Sequence, residues 1–253
     1  GAIIFPFIKC FTSRFIVTNI DGIEWRRDKW GRFAKIFLKF SERLAVKYSD
    51  VVISDNQGIA DYVYLEYDKS SKVIAYGGDH ALLTDTVSGN GDFALGICRI
   101  EPENNVHIIL EAFARTGHKI KFIGNWDNSE YGKLLLNKYS KYSNIDLLNP
   151  IYDKHILYDY RSKCKYYVHG HSAGGTNPSL VEIMFFSKQV IAFDCIYNRA
   201  TLENNGLFFH DADSLVSIIQ NICISFDSSV FREIASRRYT WSIVKKEYLS
   251  LFN

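Results

Sequence analysis

His169-Gly170-His171-Ser172-Ala173-Gly174-Gly175-Thr176-Asn177-Pro178-Ser179-Leu180-Val181-Glu182 links two apolar runs through a turn that bears two consecutive glycines. The apolar run Tyr166-Tyr167-Val168 before it reads as a buried strand, and the apolar residues after Pro178 read as a helix. Asn177 stands at the N-cap position and Pro178 at the first helical position. A strand that passes through a glycine-bearing turn into a capped helix is a joint of a parallel α/β sheet. The same turn offers a seat for an anion, because N–H groups at a helix start lack intrahelical partners and the helix dipole adds about half a positive charge there. Gly174 and Gly175 allow close approach to the main chain. Thr176 and Ser179 add hydroxyls, and Glu182 one turn on adds a carboxylate for a ligand bearing hydroxyl groups. The plain alternative is an ordinary capped helix after a buried strand.

Working outward, the same alternation recurs on both sides. Phe15–Ile20, Asp50–Ser54 and Lys72–Tyr76 read as strands, separated by helical patterns from about Lys29 to Lys47 and Gln57 to Tyr67. In the first of these helices Phe33, Ile36, Phe37, Phe40 and Leu44 fall at helical spacing, so this face is expected to cover a sheet. Its Lys and Arg residues are expected on a solvated face or against an anionic membrane surface. Thr84–Asp92 has no periodicity and reads as a boundary loop. Beyond it come strands at 93–97, 119–123, 145–148, 166–168, 189–193 and 206–209, each followed by a polar or glycine-bearing loop. In open α/β sheets such loops converge on one rim, where ligands bind. Asp21 and Glu24, just past the first strand, are candidates for that rim, although a turn acid capping the next helix explains them equally.

The 253 residues suffice for one large or two small domains, and 47% apolar with 23% charged residues is the composition of a globular chain. A net charge of +2 gives no reason to expect a nucleic-acid partner. Cys10, Cys98, Cys164, Cys195 and Cys223 are odd in number and scattered, which favours reduced thiols and a cytoplasmic location over a disulfide frame or a zinc site. The apolar opening 1–8 is too short to span a membrane and reads as the interior of a longer element, so the chain is expected to begin within a domain.

The motifs in sequence resemble those of glycosyltransferase family 4, enzymes with the GT-B fold of two facing Rossmann-like domains. The subgroup described as bacterial polysaccharide rhamnosyltransferases is the most similar. The residues that carry the resemblance are Asn19-Ile20-Asp21-Gly22-Ile23-Glu24-Trp25, Tyr76-Gly77-Gly78-Asp79-His80, Arg99 through Asn105, Gly124-Asn125-Trp126, and His169 through Glu182. The resemblance implies an acceptor-side α/β domain over residues 1–84, truncated relative to the family, a donor domain over 93–236, and a terminal helix over 237–253 that packs back on the first domain. It implies a retaining transfer of a sugar from a nucleoside-diphosphate sugar, with dTDP-rhamnose or a UDP-hexose as the donor candidates. The acceptor would be a hydroxyl of a growing surface polysaccharide or lipid-linked saccharide, at the inner face of the membrane. No metal cofactor is implied.

Position by position, Arg99 would hold the diphosphate, the alternative being a weak exposed pair with Glu101 or Glu103. Asn104 takes the place of the usual lysine and would contribute an uncharged donor. Glu182 matches the second glutamate of the family's E-x7-E motif and would bind the ribose hydroxyls. The first glutamate position is Gly174, so His171 is the candidate to meet the transferred sugar. Gly174, Gly175, Thr176, Asn177 and Ser179 would carry more of the phosphate, and Ile151 would lie near the base. Asn125-Trp126 would form a platform for the donor sugar, although a tryptophan packed at a domain edge explains the pair equally. Asp21 and Glu24 would face the acceptor.

Rival readings attach to the same residues. Gly170-His171-Ser172-Ala173-Gly174 fits the G-x-S-x-G of a hydrolase elbow, with Asp194 and His210 following in order, but the cap and proline come too late for an elbow serine. The lack of a G-x-G-x-x-G after any strand argues against a dehydrogenase. A non-catalytic nucleotide- or sugar-binding module is the main alternative to an enzyme. His169 and His171 lack the spacing and companions of a zinc site, and Asp211-Ala212-Asp213 is explained by helix capping.

Overall fold

A computed structural model describes residues 2–27, 30–83, 89, 91–222 and 227–252. The boundary loop 84–92 therefore lies mostly outside the described residues. The chain opens with helix α1 (Phe5–Phe11), strand β1 (Val17–Ile20), helix α2 (Arg32–Tyr48), strand β2 (Val51–Ser54), helix α3 (Gln57–Tyr67) and the short strand β3 (Lys72–Val73). The three strands form one parallel sheet in the order β1-β2-β3. Asn56 caps α3 by accepting from the Gly58 N–H at 2.8 Å, the bond a helix start needs. Ile20, Val46, Val52, Ile59 and Val63 pack as the core on one side of this sheet.

The second sheet has six strands: β4 (Ala94–Ile97), β5 (Ile120–Ile123), β6 (Ile145–Leu148), β7 (Tyr166–His169), β8 (Gln189–Phe193) and β9 (Leu207–Phe209). All pairings are parallel, in the order β6-β5-β4-β7-β8-β9. Helices α4 (Val106–Thr116), α5 (Glu130–Tyr139), α6 (Lys154–Lys163), α7 (Pro178–Met184), α8 (Ile196–Leu202), α9 (Ala212–Asn221) and α10 (Ser229–Arg238) connect or follow these strands. Successive strand residues feed two separate cores. Ala94, Phe122, Tyr166 and Ile191 face Val106, Ile109, Phe113, Leu215 and Ile219, while Leu95, Ile123, Tyr167 and Val190 face Leu180, Val181, Met184 and Phe231. A sheet buried on both faces needs apolar residues throughout its strands, which is why these runs read as continuous rather than alternating. Asp211 closes a capping box with Ser214 at the start of α9, so the Asp211-Ala212-Asp213 triplet serves the helix.

The last helix, α11 (Trp241–Leu249), returns to the first sheet. Val244 packs with Ile53 and Ile74, and Lys72 Nζ donates to the Glu247 carbonyl at 3.3 Å.

One expectation is overturned. The apolar stripe of α2 does not cover a sheet: Phe33 is 88% exposed and Ile36, Phe37 and Phe40 are each more than half exposed, whereas Ala45 and Val46 are buried. Periodicity identified the helix but not which side faces inward, because both sides carry apolar residues.

Candidate functional site

Between β4 and β7 the strand order reverses direction, and such a switch opens a crevice at the carboxyl ends of the strands. The loop after β4 carries Arg99 to Asn105, and the loop after β7 carries Gly170 to Asn177, so the two most informative stretches of sequence meet there. Ser172 binds the loops together: its N–H and Oγ both donate to the Glu103 carbonyl, at 2.9 and 2.8 Å. From the first sheet's side, Arg27 Nε comes within 3.6 Å of the Glu103 carboxylate.

His171 is buried on this rim. Asn104 Nδ2 donates to the Arg99 carbonyl at 2.7 Å, which leaves Asn104 Oδ1 to accept from His171 Nδ1, also at 2.7 Å. The proton of the neutral ring is thereby placed on Nδ1, and Nε2 is an acceptor. Burial, reinforced by Arg27 and Arg99, pushes the imidazole pKa down to about 4. His171 is thus suited to accept a hydrogen bond from a hydroxyl and not to donate to a phosphate. Asn104 is 3% exposed, and its amide bonds the Arg99 carbonyl and His171, so it holds these two in place from below the surface that a ligand could reach. Arg99 itself is exposed, its guanidinium 3.6 Å from Glu101.

The glycine turn differs most from expectation. Gly174 has φ +103°, a conformation that favours glycine over any side chain. The Thr176 N–H, expected to meet a phosphate, donates instead to Asp55 Oδ2 at 3.0 Å, and Thr176 Oγ1 donates to the Asp55 carbonyl at 2.5 Å. The protein's own carboxyl group from the end of β2 therefore fills this part of the anion seat. Asp55 Oδ1 has no hydrogen-bond partner. Burial drives the Asp55 pKa up to about 8, against the lowering effect of the Thr176 N–H, with Asp21 adding to the rise. Gly175 N–H donates to the Asp21 carbonyl at 3.4 Å. Asn177 caps α7 as its sequence position indicates, accepting from Ser179 N–H at 3.1 Å and Ser179 Oγ at 2.8 Å. Asn56 continues the junction, donating from Nδ2 to Thr176 Oγ1, the Tyr197 carbonyl and Thr201 Oγ1.

Glu182 is largely buried, and each of its carboxylate oxygens has one protein partner. One carboxylate oxygen pairs with Arg161 of α6, the other lies 3.1 Å from His80 Nε2. His80 comes from the turn after β3, so Glu182 is held partly from across the crevice.

The remaining expected residues scatter. Asn125 is exposed at the rim, but Trp126 is 1% exposed, with its indole N–H donating to the Leu148 carbonyl at 3.0 Å; a buried core ring cannot be a sugar platform. Ile151 is half-buried against the core below the rim. Asp21 is exposed beside Gly174, whereas Glu24 pairs with Arg27 at 3.1 Å and accepts from the Trp30 indole at 3.0 Å. His169 lies in β7, not in the loop, and burial pushes its pKa down to about 3. No hydrolase triad forms: Asp194 is paired with Arg199 and His210 is exposed beside Asp211. Among the described residues no group of three or more His, Cys, Asp or Glu side chains could hold a metal ion.

Four residues of the site were not singled out from the sequence: Arg27, Asp55, His80 and Arg161. His80 and Arg27 stood inside or next to quoted motifs, and Asp55 follows a strand, which is the available signal for all three. Arg161 lies mid-helix and had none.

Residues 1–79 match the model of a family described as a domain of unknown function (DUF1972). No curated protein matches. Among solved structures, a sucrose-phosphate synthase from Thermosynechococcus elongatus aligns over 99% of this chain and 70% of its own, with 16% identity and a TM-score of 0.78. HepE of Anabaena, in complex with UDP and glucose, aligns over 99% of this chain and 74% of its own, with 17% identity and a TM-score of 0.78. TarM of S. aureus aligns over 100% of this chain and 53% of its own, with 16% identity and a TM-score of 0.76. The chain thus spans from about half to three quarters of these structures. With two parallel sheets facing one crevice, the chain has the GT-B fold of these glycosyltransferase structures.

Proposed function

We propose that this chain is the nucleotide-sugar-binding part of a glycosyltransferase that moves a sugar from a nucleoside diphosphate to a saccharide hydroxyl. The observation that carries the reading is the joining, at the β4/β7 switch point, of the loop that carries an exposed Arg99 to the loop that carries a neutral buried His171 and opens α7, the helix of Glu182. HepE, a fold neighbour, was solved with UDP-glucose. Residues 93–236 would hold the donor, residues 1–84 the acceptor side, and the terminal helix after 237 would tie the two.

As the sugar leaves, negative charge builds on the diphosphate, and donors aimed there stabilise the transition state more than the ground state. Arg99 would set positive charge against that build-up. Because Thr176 is occupied by Asp55, the phosphate contact falls on Arg99 and on the rim of the loop around Ala173 and Gly174. His171 Nε2 would accept from a sugar hydroxyl, and Glu182 from the ribose. Retention of configuration, a dTDP-rhamnose or UDP-hexose donor and a lipid-linked acceptor at the cytoplasmic membrane face are the finer parts of this reading.

Titration calorimetry with UDP- and dTDP-sugars tests it. Arg99→Ala is expected to weaken binding about tenfold or more, the value of a charge-assisted hydrogen bond. If neither nucleotide binds, or the variant binds like the parent, the donor-site reading is wrong.

A further inference from the structure

Glu182 is held by a chain of contacts that the proposed chemistry does not require, and that chain crosses from one sheet to the other. Trp241 at the start of α11 donates its indole N–H to His80 Nδ1 at 3.0 Å. An indole N–H can only donate, so Nδ1 must carry the lone pair and the proton of the neutral ring sits on Nε2. That Nε2–H is the group 3.1 Å from Glu182 Oε1. On the other side, Arg161, itself buried, takes Glu182 Oε2.

The backbone around His80 is fixed with equal care. The Trp241 N–H donates to Asp79 Oδ1 at 2.9 Å, and the Gly78 N–H donates to the Tyr239 carbonyl at 2.8 Å. Gly78 packs so tightly on α7 that a Cβ there would lie 2.8 Å from Val181 Cγ1 and 3.0 Å from the Glu182 nitrogen. The turn after β3 is therefore moulded to α7, and His80 is delivered to Glu182 by the first sheet and the terminal helix together.

We infer that His80 is a positioning residue for the nucleotide's ribose: with Trp241 setting its tautomer, it and Arg161 hold the Glu182 carboxylate in the orientation that accepts the ribose hydroxyls. The inference rests on the reading of Glu182 as the ribose acceptor. Each carboxylate oxygen spends one lone pair on its protein partner and keeps another for a hydroxyl. Separation of the two sheets would take His80 away and leave Glu182 anchored by Arg161 alone, so ribose recognition is tied to the closed arrangement.

The test compares UDP with 2′,3′-dideoxy-UDP by calorimetry, on the parent chain and on His80→Ala, His80→Gln and Trp241→Phe. The parent is expected to prefer UDP by about tenfold or more, because hydroxyl bonds to a carboxylate are charge-assisted. His80→Ala should lose most of that preference while binding the dideoxy nucleotide as the parent does. His80→Gln, whose amide N–H can replace Nε2–H, should restore part of it, and Trp241→Phe should fall between. A parent that does not bind UDP, or that binds both nucleotides alike, overturns the ribose role of Glu182 and the inference with it. A parent that discriminates, with a His80→Ala variant that discriminates equally, overturns the inference alone. Equal weakening of both nucleotides by His80→Ala would mean a general structural role, which also overturns it.

Discussion

Asp55 and Gly175 meet so closely that a Cβ on the glycine would lie 1.7 Å from Asp55 Oδ1 and 2.3 Å from its Cγ. The contact joins the end of β2 to the turn after β7, and it exists only because position 175 has no side chain. Gly175→Ala must push the two loops apart, and overpacking of this kind costs about 1–3 kcal/mol. The crowding atoms all belong to the Asp55 carboxyl group beyond its Cβ. Asp55→Ala combined with Gly175→Ala is therefore expected to recover much of the loss. Urea unfolding of the four proteins in this double-mutant cycle checks it; simply additive losses would show that the contact is not the cause.

Three buried titrating groups, Asp55, His169 and His171, pull stability in opposite directions across the acid-to-neutral range. Asp55 has its pKa raised from 3.8 to about 8, so the folded chain holds a proton there that the unfolded chain releases, and stability falls as pH rises across that window. His169 and His171 work in the opposite direction. Their pKa values are lowered from 6.5 to about 3 and about 4, so the unfolded chain takes up protons that the folded chain refuses, and stability falls as pH drops below 6.5. From pH 4 to 6.5 the two histidines outweigh the one carboxyl; from 6.5 to 8 only Asp55 acts. The contribution of these three groups is thus greatest near pH 6.5. Asp55→Asn keeps an oxygen for the Thr176 N–H and should remove the alkaline decline, gaining on the parent as pH rises to 8. Thermal unfolding from pH 4 to 8 reads both limbs, and an unchanged alkaline limb in Asp55→Asn would refute the assignment.

The fold was legible because its signals are local. Six apolar runs, each ending in a polar or glycine-bearing loop, specify a parallel sheet buried on both faces, and Asn177 with Pro178 specifies where α7 begins. The crevice position followed from the loops after β4 and β7. What the sequence concealed was which groups already satisfy one another across the crevice. Thr176 and Glu182 look like free ligand groups in a linear reading, and only the approach of Asp55 and His80 from the first sheet reveals their partners. The buried Trp126 shows the same limit, since Asn125-Trp126 reads alike whether the ring points to the rim or to the core.

Glu182 and Arg161 form a largely buried ion pair, which decides how Glu182 can be tested. Removing one partner of such a pair leaves a charge uncompensated and costs about 3–5 kcal/mol. Glu182→Ala is therefore expected to lower stability as well as nucleotide binding, and a binding loss in that variant would be ambiguous. Glu182→Gln retains an oxygen acceptor for Arg161 or His80 and should unfold at a temperature closer to the parent's, while still weakening UDP. Differential scanning calorimetry beside binding separates the two effects. A Glu182→Ala variant as stable as the parent would show that the pair contributes little to the fold.

The exposed stripe of α2 calls for a covering surface. Phe33, Ile36, Phe37 and Phe40 lie on one side of the helix, and Ile4, Phe7 and Phe11 of the preceding helical segment are exposed as well. Arg32, Lys35, Lys39, Arg43 and Lys47 are interspersed along α2, and an open groove of about 980 Å³ beside it is lined by Lys39, Arg43, Lys47 and Lys69 with Ile36, Phe40 and Leu65, and also by Asp68 and by Glu66, which pairs with Lys39 at 2.8 Å. Aromatic side chains set among cations suit the interface of an anionic bilayer, where rings enter the headgroup region and Lys and Arg meet lipid phosphates. No helix among the described residues is long and apolar enough to cross a membrane, so contact by this face would be peripheral. Co-sedimentation with vesicles is expected to show binding when anionic lipid is present and little with zwitterionic lipid alone, with the bound fraction falling as salt screens the attraction. Phe33→Ser/Phe37→Ser/Phe40→Ser should lower that binding about tenfold or more, since even partial burial of three rings contributes several times RT. Equal binding by the triple variant, or none by the parent, would overturn the assignment of this face to a membrane surface.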